Sequence, residues 1–224
     1  MTSCRSNRTR GFTLLELAIG LVAISLILGG LARPLARHIE LKRTHETHAV
    51  LNRAREALLG FAIANNNRLP CPDVDGDGVA DPANAPRDLC PDVEGYLPAT
   101  TLGVEAFDGW GRRLRYRANN AYSQFEGVPN PPDTRGALLV QNRRVERLTL
   151  TNPHAAAALL FSCGKNGVPD SDNRGAGVVR GCSSTAVDGL YVQGVPTDGV
   201  FDDILIWVSK NVLLNRLVSA SRWP

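Results

Sequence analysis

The sequence lacks the short motifs on which most enzymatic functions rest. It has no GxSxG elbow, no Walker loop and no Ser, His and acid set spaced as a triad, so acyl and phosphoryl transfer have no carrier. Residues 175–181, GAGVVRG, imitate a dinucleotide loop, but the last glycine falls one place late and no βαβ unit surrounds them. No two cysteines stand as CxxC, which argues against zinc and redox catalysis. Charge of one sign is also scarce. The net charge of +3 is supplied by Arg5, Arg8 and Arg10, and the remainder is formally neutral, so no nucleic-acid surface is expected. A second long apolar run is missing too, which excludes a polytopic membrane protein. What is present is 21 Gly and 14 Pro beside 43% hydrophobic residues. With 224 residues that describes one loop-rich domain, or a small domain with an appendage.

One long apolar run does occur. Residues 12–32, FTLLELAIGLVAISLILGGLA, would span roughly 30 Å as a helix, enough for one membrane crossing. The basic, acid-free stretch before it predicts an amino terminus held in the cytoplasm with the rest exported. A conventional cleavable signal is one alternative, since Gly30 and Ala32 place small residues where such a site needs them. Glu16 counts against it. A carboxylate inside an apolar run costs about 3 kcal/mol near the bilayer centre, and such residues usually have a partner.

Gly11-Phe12-Thr13-Leu14-Leu15-Glu16, after a short basic leader and before an unbroken apolar helix, resembles the class III signal of type IV pilins and type II secretion pseudopilins. The resemblance implies cleavage between Gly11 and Phe12 by a prepilin peptidase and N-methylation of Phe12. Glu16 would be retained. In a filament of parallel helices it can neutralise the Phe12 ammonium of a neighbour and fix axial register in a low dielectric.

Beyond the run, Pro34 should kink the helix without ending it. Leu35, Ile39, Val50, Ala54, Ala57, Leu58 and Phe61 then recur near the helical period, and Asn65-Asn66-Asn67 with Leu69-Pro70 is a stop signal. The expected organisation is a leader over 1–11, a polymerisation helix over 12–33, its amphipathic continuation over 34–66 and an exported head over 67–224. Basic residues outnumber acids along the continuation, which suits a solvated face near anionic lipid or a neighbouring subunit. His45 and His48 stand one turn apart around Glu46, but no third ligand is visible and exposed histidines explain them.

Cys4 would be lost with the leader. The remaining Cys71, Cys90, Cys163 and Cys182 allow three connectivities; two equal spacings around Gly-, Pro- and Asp-rich loops, in an oxidising compartment, favour Cys71–Cys90 and Cys163–Cys182. In the head, residues 112–117 read as an edge or half-buried strand, 137–141 and 145–150 as a hairpin around 142–144, and 204–208 as an apolar strand. Ser209 should cap a last helix through about Ala220. The fold class expected is α+β, pilin-like: a long helix on an antiparallel sheet of three to five strands, with disulfide-closed loops and a short carboxy-terminal helix. Asp108-Gly-Trp-Gly followed by Tyr116 is similar to the Asp-x-Trp-Gly and Tyr of major pseudopilins, where the aromatics pack sheet against helix. Residues 162–167 with Asp202-Asp203-Ile204 resemble that family's glycine-rich loop and Asp-Asp-Ile segment. The inserted loops are a departure that suits a minor or specialised subunit.

No cofactor is required by this reading, but two carboxylate sets offer a place for calcium. Asp73, Asp75, Asp77 and Asp81 match the first nine positions of a calcium loop, although Asn84 stands where a bidentate Glu belongs and a solvated Asp-Gly turn competes. The pseudopilin resemblance implies a second site near Asp170, Asp172 and Asp202, against which a simple turn competes. The function expected is that of a structural subunit and not an enzyme: a single-pass inner-membrane prepilin with a periplasmic head, assembled into a type II secretion pseudopilus or a type IV pilus-like filament and supporting protein secretion. Its partners would be prepilin peptidase, other pilin or pseudopilin subunits, the inner-membrane assembly platform and membrane lipid. The alternatives are a minor type IV pilin for adhesion, motility or DNA uptake, and a secreted calcium-binding module cut after Ala32.

Overall fold

The computed structural model describes residues 13–81, 90–123, 138–149, 156–170, 173, 182, 189–197 and 199–222, and within its first helix the side chains of 28–34 are not described. Helix α1 runs over Leu14–Ala64 and continues through Pro34. The chain divides after Lys42 into two compact units.

In the first unit, Thr13 caps α1, its Oγ1 accepting the Glu16 amide at 3.3 Å. Leu35 and Ile39, expected on a buried stripe, are 63% and 47% exposed. The buried stripe of α1 begins only with Thr47, and its apolar part with Val50, in the second unit.

There the sheet explains the stripe. Strands β1 (Glu94–Tyr96), β2 (Arg115–Ala118), β4 (Ala156–Ser162) and β6 (Ile204–Ser209) form an antiparallel sheet in the order β1-β2-β4-β6. On one face Val50, Leu51, Ala54, Leu58 and Ala62 of α1 pack with Tyr116, Ala158, Leu160 and Val208 of the sheet. Leu213 and Leu217 of α4 (Lys210–Ser219) join them. On the other face Leu159, Phe161 and Leu205 meet Leu138, Val140 and Tyr191, carried by or beside β3 (Leu139–Asn142) and β5 (Leu190–Gln193). Strand β4 is therefore buried on both faces, with every residue inside. Its run AAALLFS shows no polar alternation because neither face meets water. Two single-turn helices, α2 (Ala99–Leu102) and α3 (Asn120–Ser123), complete the element order.

The long helix, the 204–208 strand and the last helix form as expected, and Ser209 Oγ accepts the Val212 amide at 3.2 Å. Both disulfides form, Cys71–Cys90 and Cys163–Cys182. Two strand assignments need correction. β3 pairs in parallel with β5, while residues 145–149 return beside it as an antiparallel turn, with a bridge between Gln141 and Arg147 and further backbone hydrogen bonds, but without forming a strand. The local turn does form along the other edge of β3, where Asn142 donates its amide to the Glu146 carbonyl and Leu148 its amide to the Val140 carbonyl, each at 2.8 Å; the ladder with a strand some fifty residues away was not expected.

The second correction concerns β2, which lies inside the sheet between β1 and β4. Its arginines tolerate that because Glu94 sits opposite, 3.3 Å from Arg115 and 3.8 Å from Arg117, and Tyr191 donates its hydroxyl to Glu94 at 3.0 Å. Burial pushes the Glu94 carboxyl up, against the pull of Arg115, Tyr191 and Arg117. Tyr96 and Tyr191 lie under the Arg115 and Arg117 guanidinium groups, so charge is buried only where it is paired and stacked.

Candidate functional site

The first functional surface is the start of α1. Leu14, Leu15, Leu17, Ile19, Leu21, Val22, Ile24, Leu26 and Ile27 are each more than half exposed and lie on all sides of the helix. No single chain can bury such a surface, so it requires lipid or other helices around it. Glu16 sits in its first turn, exposed like its neighbours. Gly11 and Phe12 lie outside the described residues. Among the described residues no helix is long and apolar enough to cross a membrane. The part of the apolar run with described side chains, 13–27, is shorter than the roughly 20 residues a crossing needs.

His45 and His48 both reach solvent, and partial desolvation of the His48 ring by its neighbours, followed by the charge of His45, holds its imidazole below the usual range. Among the described residues they join no third ligand; the two groups of converging ligand atoms are both sets of aspartates.

The first set is Asp73, Asp75 and Asp77, whose oxygens lie within 4.8 Å of one another. Asp73 is fully buried and accepts the amides of Gly76 at 2.6 Å and Gly78 at 2.8 Å. Asp75 accepts the Asp77 amide, Asp77 accepts the Val79 amide, and Asp81, outside the group of three, accepts the Val74 amide. Arg113 approaches Asp73 at 3.9 Å and donates to the Gly76 carbonyl. Gly76 and Gly78 both take φ +87°, which lets the loop turn its amides inward. The buried carboxylate is thus satisfied by the loop itself and by an arginine.

The second set differs. Asp170, Asp202 and Asp203 converge within 4.8 Å. Asp170 Oδ2 accepts the amides of Asp202 at 2.6 Å and Asp203 at 3.0 Å; Asp203 Oδ2 accepts the Asp170 amide and the Asn173 side chain, both at 2.9 Å. Asp202 Oδ2 accepts the Asn166 amide at 2.7 Å. That leaves Asp202 Oδ1 and Asp203 Oδ1 buried with no hydrogen-bond partner. Asp203 is 2% exposed, and its carboxyl is pushed up to about 7, chiefly by burial, with the charges of Asp170 and Asp202 adding to it. Burial raises Asp202 as well. Orphaned carboxylate oxygens in an all-oxygen pocket are the donor set a hard divalent cation takes, so these residues fit calcium. Asp172 lies outside the described residues. Asp203, part of the Asp-Asp-Ile segment but not among the expected ligands, is the group the sequence undervalued, and two adjacent aspartates give no sign of which one points inward.

The pocket is held from behind. Asp108 Oδ1 accepts the amides of Trp110 and Arg112, each at 2.9 Å, and its Oδ2 accepts the Ser162 hydroxyl at 2.5 Å. Arg112 then reaches across to the carbonyls of Gly164 at 2.6 Å and Lys165 at 2.7 Å. Gly164 takes φ +51°, and a Cβ there would lie 2.0 Å from the Asp202 carbonyl oxygen. The Asp-Gly-Trp-Gly turn, the glycine-rich loop and the Asp202-Asp203 segment are therefore one assembly, with Cys163–Cys182 pinning the loop. Tyr116 is fully buried and Trp110 partly buried, both against the core shared with α1.

No curated protein and no solved structure matches the chain. Residues 6–32 match the family described as the prokaryotic N-terminal methylation motif. Architecture and motif agree: an amino-terminal helix on an antiparallel sheet, two disulfides and a short last helix are consistent with a pilin-like fold. The chain carries the prepilin-type signature shared by type IV pilins and pseudopilins.

Proposed function

We propose that this chain is a structural subunit of a type II secretion pseudopilus or related type IV pilus-like filament. The observation that carries the proposal is the helix at Leu14–Ile27, apolar on every side, exposed, and beginning inside the matched methylation motif. Prepilin peptidase cuts after Gly11 and methylates Phe12, the helix anchors the subunit in the inner membrane with its head in the periplasm, and copies then polymerise through the same helix. Glu16 sets the register against the neighbouring Phe12 ammonium. The clamped assembly of Asp108, Arg112, Gly164 and Asp202 supports the secretion branch over a minor pilin for adhesion, motility or DNA uptake. Calcium, held by Asp170, Asp202 and Asp203, would neutralise three carboxylates and fix the loop that carries them. Glu16→Ala tests the filament role: processing should persist while incorporation into filaments or co-purifying assemblies falls. Normal incorporation of that variant would refute the register role.

A further inference from the structure

On the opposite side of β4 from α1, the turn after β3 and the segment after β5 enclose an open groove of about 490 Å³. Asn142, Arg143, Arg144, Gln193, Val195 and Thr197 line it. Two features of this turn gain nothing within one copy of the chain. Val145 takes φ +66°, a left-handed conformation that strains a β-branched residue, and it is 72% exposed. The turn is nevertheless firmly made: Asn142 Oδ1 accepts the amides of Arg144 and Glu146, each at 2.9 Å, and the Asn142 carbonyl accepts that of Val145 at 3.0 Å. Glycine or asparagine would fit without strain, yet an apolar side chain is held out in solvent. Val195 across the groove is 81% exposed and Val200 is 54% exposed. The surface is also basic. Arg143, Arg144 and Arg147 are all exposed, and the nearby Glu146 is engaged by the Asn142 amide at 2.6 Å.

The same chain displays a surface of inverse character. In the 73–81 loop, Asp75 and Asp77 are exposed, and Val74 and Val79 flank them at 45% and 46% exposure. That loop is rigid, because each of its carboxylates accepts a backbone amide and Arg113 braces its centre. We infer that the groove beside Val145 receives the 73–81 loop of a second copy, Arg143 and Arg144 meeting Asp75 and Asp77 while valines meet valines. Contact between two different faces is heterologous and propagates from copy to copy, whereas like-with-like pairing of either face would oppose equal charges. The inference rests on the filament reading, which supplies repeated copies.

The test uses full-length protein co-expressed with prepilin peptidase, as two differently tagged copies. One copy carries Val145→Cys and the other Val79→Cys; oxidation should give a mixed dimer, and Val145→Cys with Val218→Cys on α4 should not. Arg143→Glu with Arg144→Glu should lower the dimer roughly tenfold, and adding Asp75→Arg with Asp77→Arg should restore it. Val145→Gly should raise the melting temperature by relieving strain while weakening the contact. A dimer absent at 145–79 but present between Ile19→Cys copies would overturn this contact and leave the filament reading standing. Absence of both would overturn both. Charge reversal without effect, or a Val145→Gly variant with unchanged melting temperature and contact, would equally overturn the inference.

Discussion

Replacing Asp203 by asparagine should move stability and calcium binding in opposite directions. In the metal-free protein the Asp203 carboxyl is displaced from 3.8 to about 7, so keeping it ionised at neutral pH costs about 4 kcal/mol at most. Asparagine keeps the same shape. Its oxygen can accept from the Asp170 amide and Asn173, while its NH2 replaces the orphaned Oδ1 and can donate toward Asp170 or Asp202. Allowing for burial of the amide itself, the variant should gain about 2 to 3 kcal/mol, on the order of 5–10 °C in melting temperature. The sign follows from proton linkage. The folded carboxyl keeps its proton to about 7 while the unfolded one releases it near 3.8, so the chelated wild-type protein loses stability as pH rises through that window. Asp203→Asn should lose none of that part, and the two proteins should converge below pH 4. With calcium the order should reverse: at a thousand times Kd the wild type gains about 4.1 kcal/mol, more than the variant's advantage, and the variant gains little. Urea unfolding of the full chain, followed by fluorescence of Trp110 and Trp207 with chelator or calcium, reads both quantities. A variant less stable than wild type in chelator, or one that keeps the calcium gain, would refute the assignment of Asp203 as a strained ligand.

Other perturbations probe the scaffold by thermal or urea unfolding. Glu94→Ala should cost about 3–5 kcal/mol because Arg115 and Arg117 would be left buried beside no acid, and Tyr191→Phe about 1 kcal/mol; equal, small losses would mean that the cluster is not coupled. Gly109→Ala should cost about 2 kcal/mol or more, since its Cβ would lie 2.3 Å from the Arg43 carbonyl oxygen; a neutral outcome would show that the 108–111 turn does not seat against α1 as described. Opening Cys163–Cys182 by double serine substitution should cost roughly 3 kcal/mol and also weaken calcium binding; unchanged affinity would separate the bridge from the site.

Local signals were read well where the responsible residues are adjacent in sequence. Ser209 before a periodic run gave the last helix, the asparagines at 65–67 gave the end of α1, and equal spacing gave the two disulfides. Non-local pairing was not legible. The 156–162 segment begins with three alanines, strong helix formers, and only the layers on both its faces make it the central strand. The parallel partner of β3 lies across a long connection, so the turn motif at 142–144 pointed only to the locally bonded edge of that strand. Arginines at 115 and 117 looked like the polar face of an edge strand because the acid that accommodates them, Glu94, is about twenty residues away. At the second aspartate cluster the sequence supplied Asp170 and Asp202; it could not show that Asp203 and Asn173 turn toward them, since that depends on how two loops close on each other.

The central claim is that residues 6–32 act as a processing and assembly signal. Intact mass and amino-terminal sequencing of the protein, expressed with and without a prepilin peptidase, address it most directly. The account predicts a chain beginning at N-methylated Phe12, formed only when the peptidase is present. A chain beginning at Arg33, or one that is never processed, would contradict it and make the head an independent exported module.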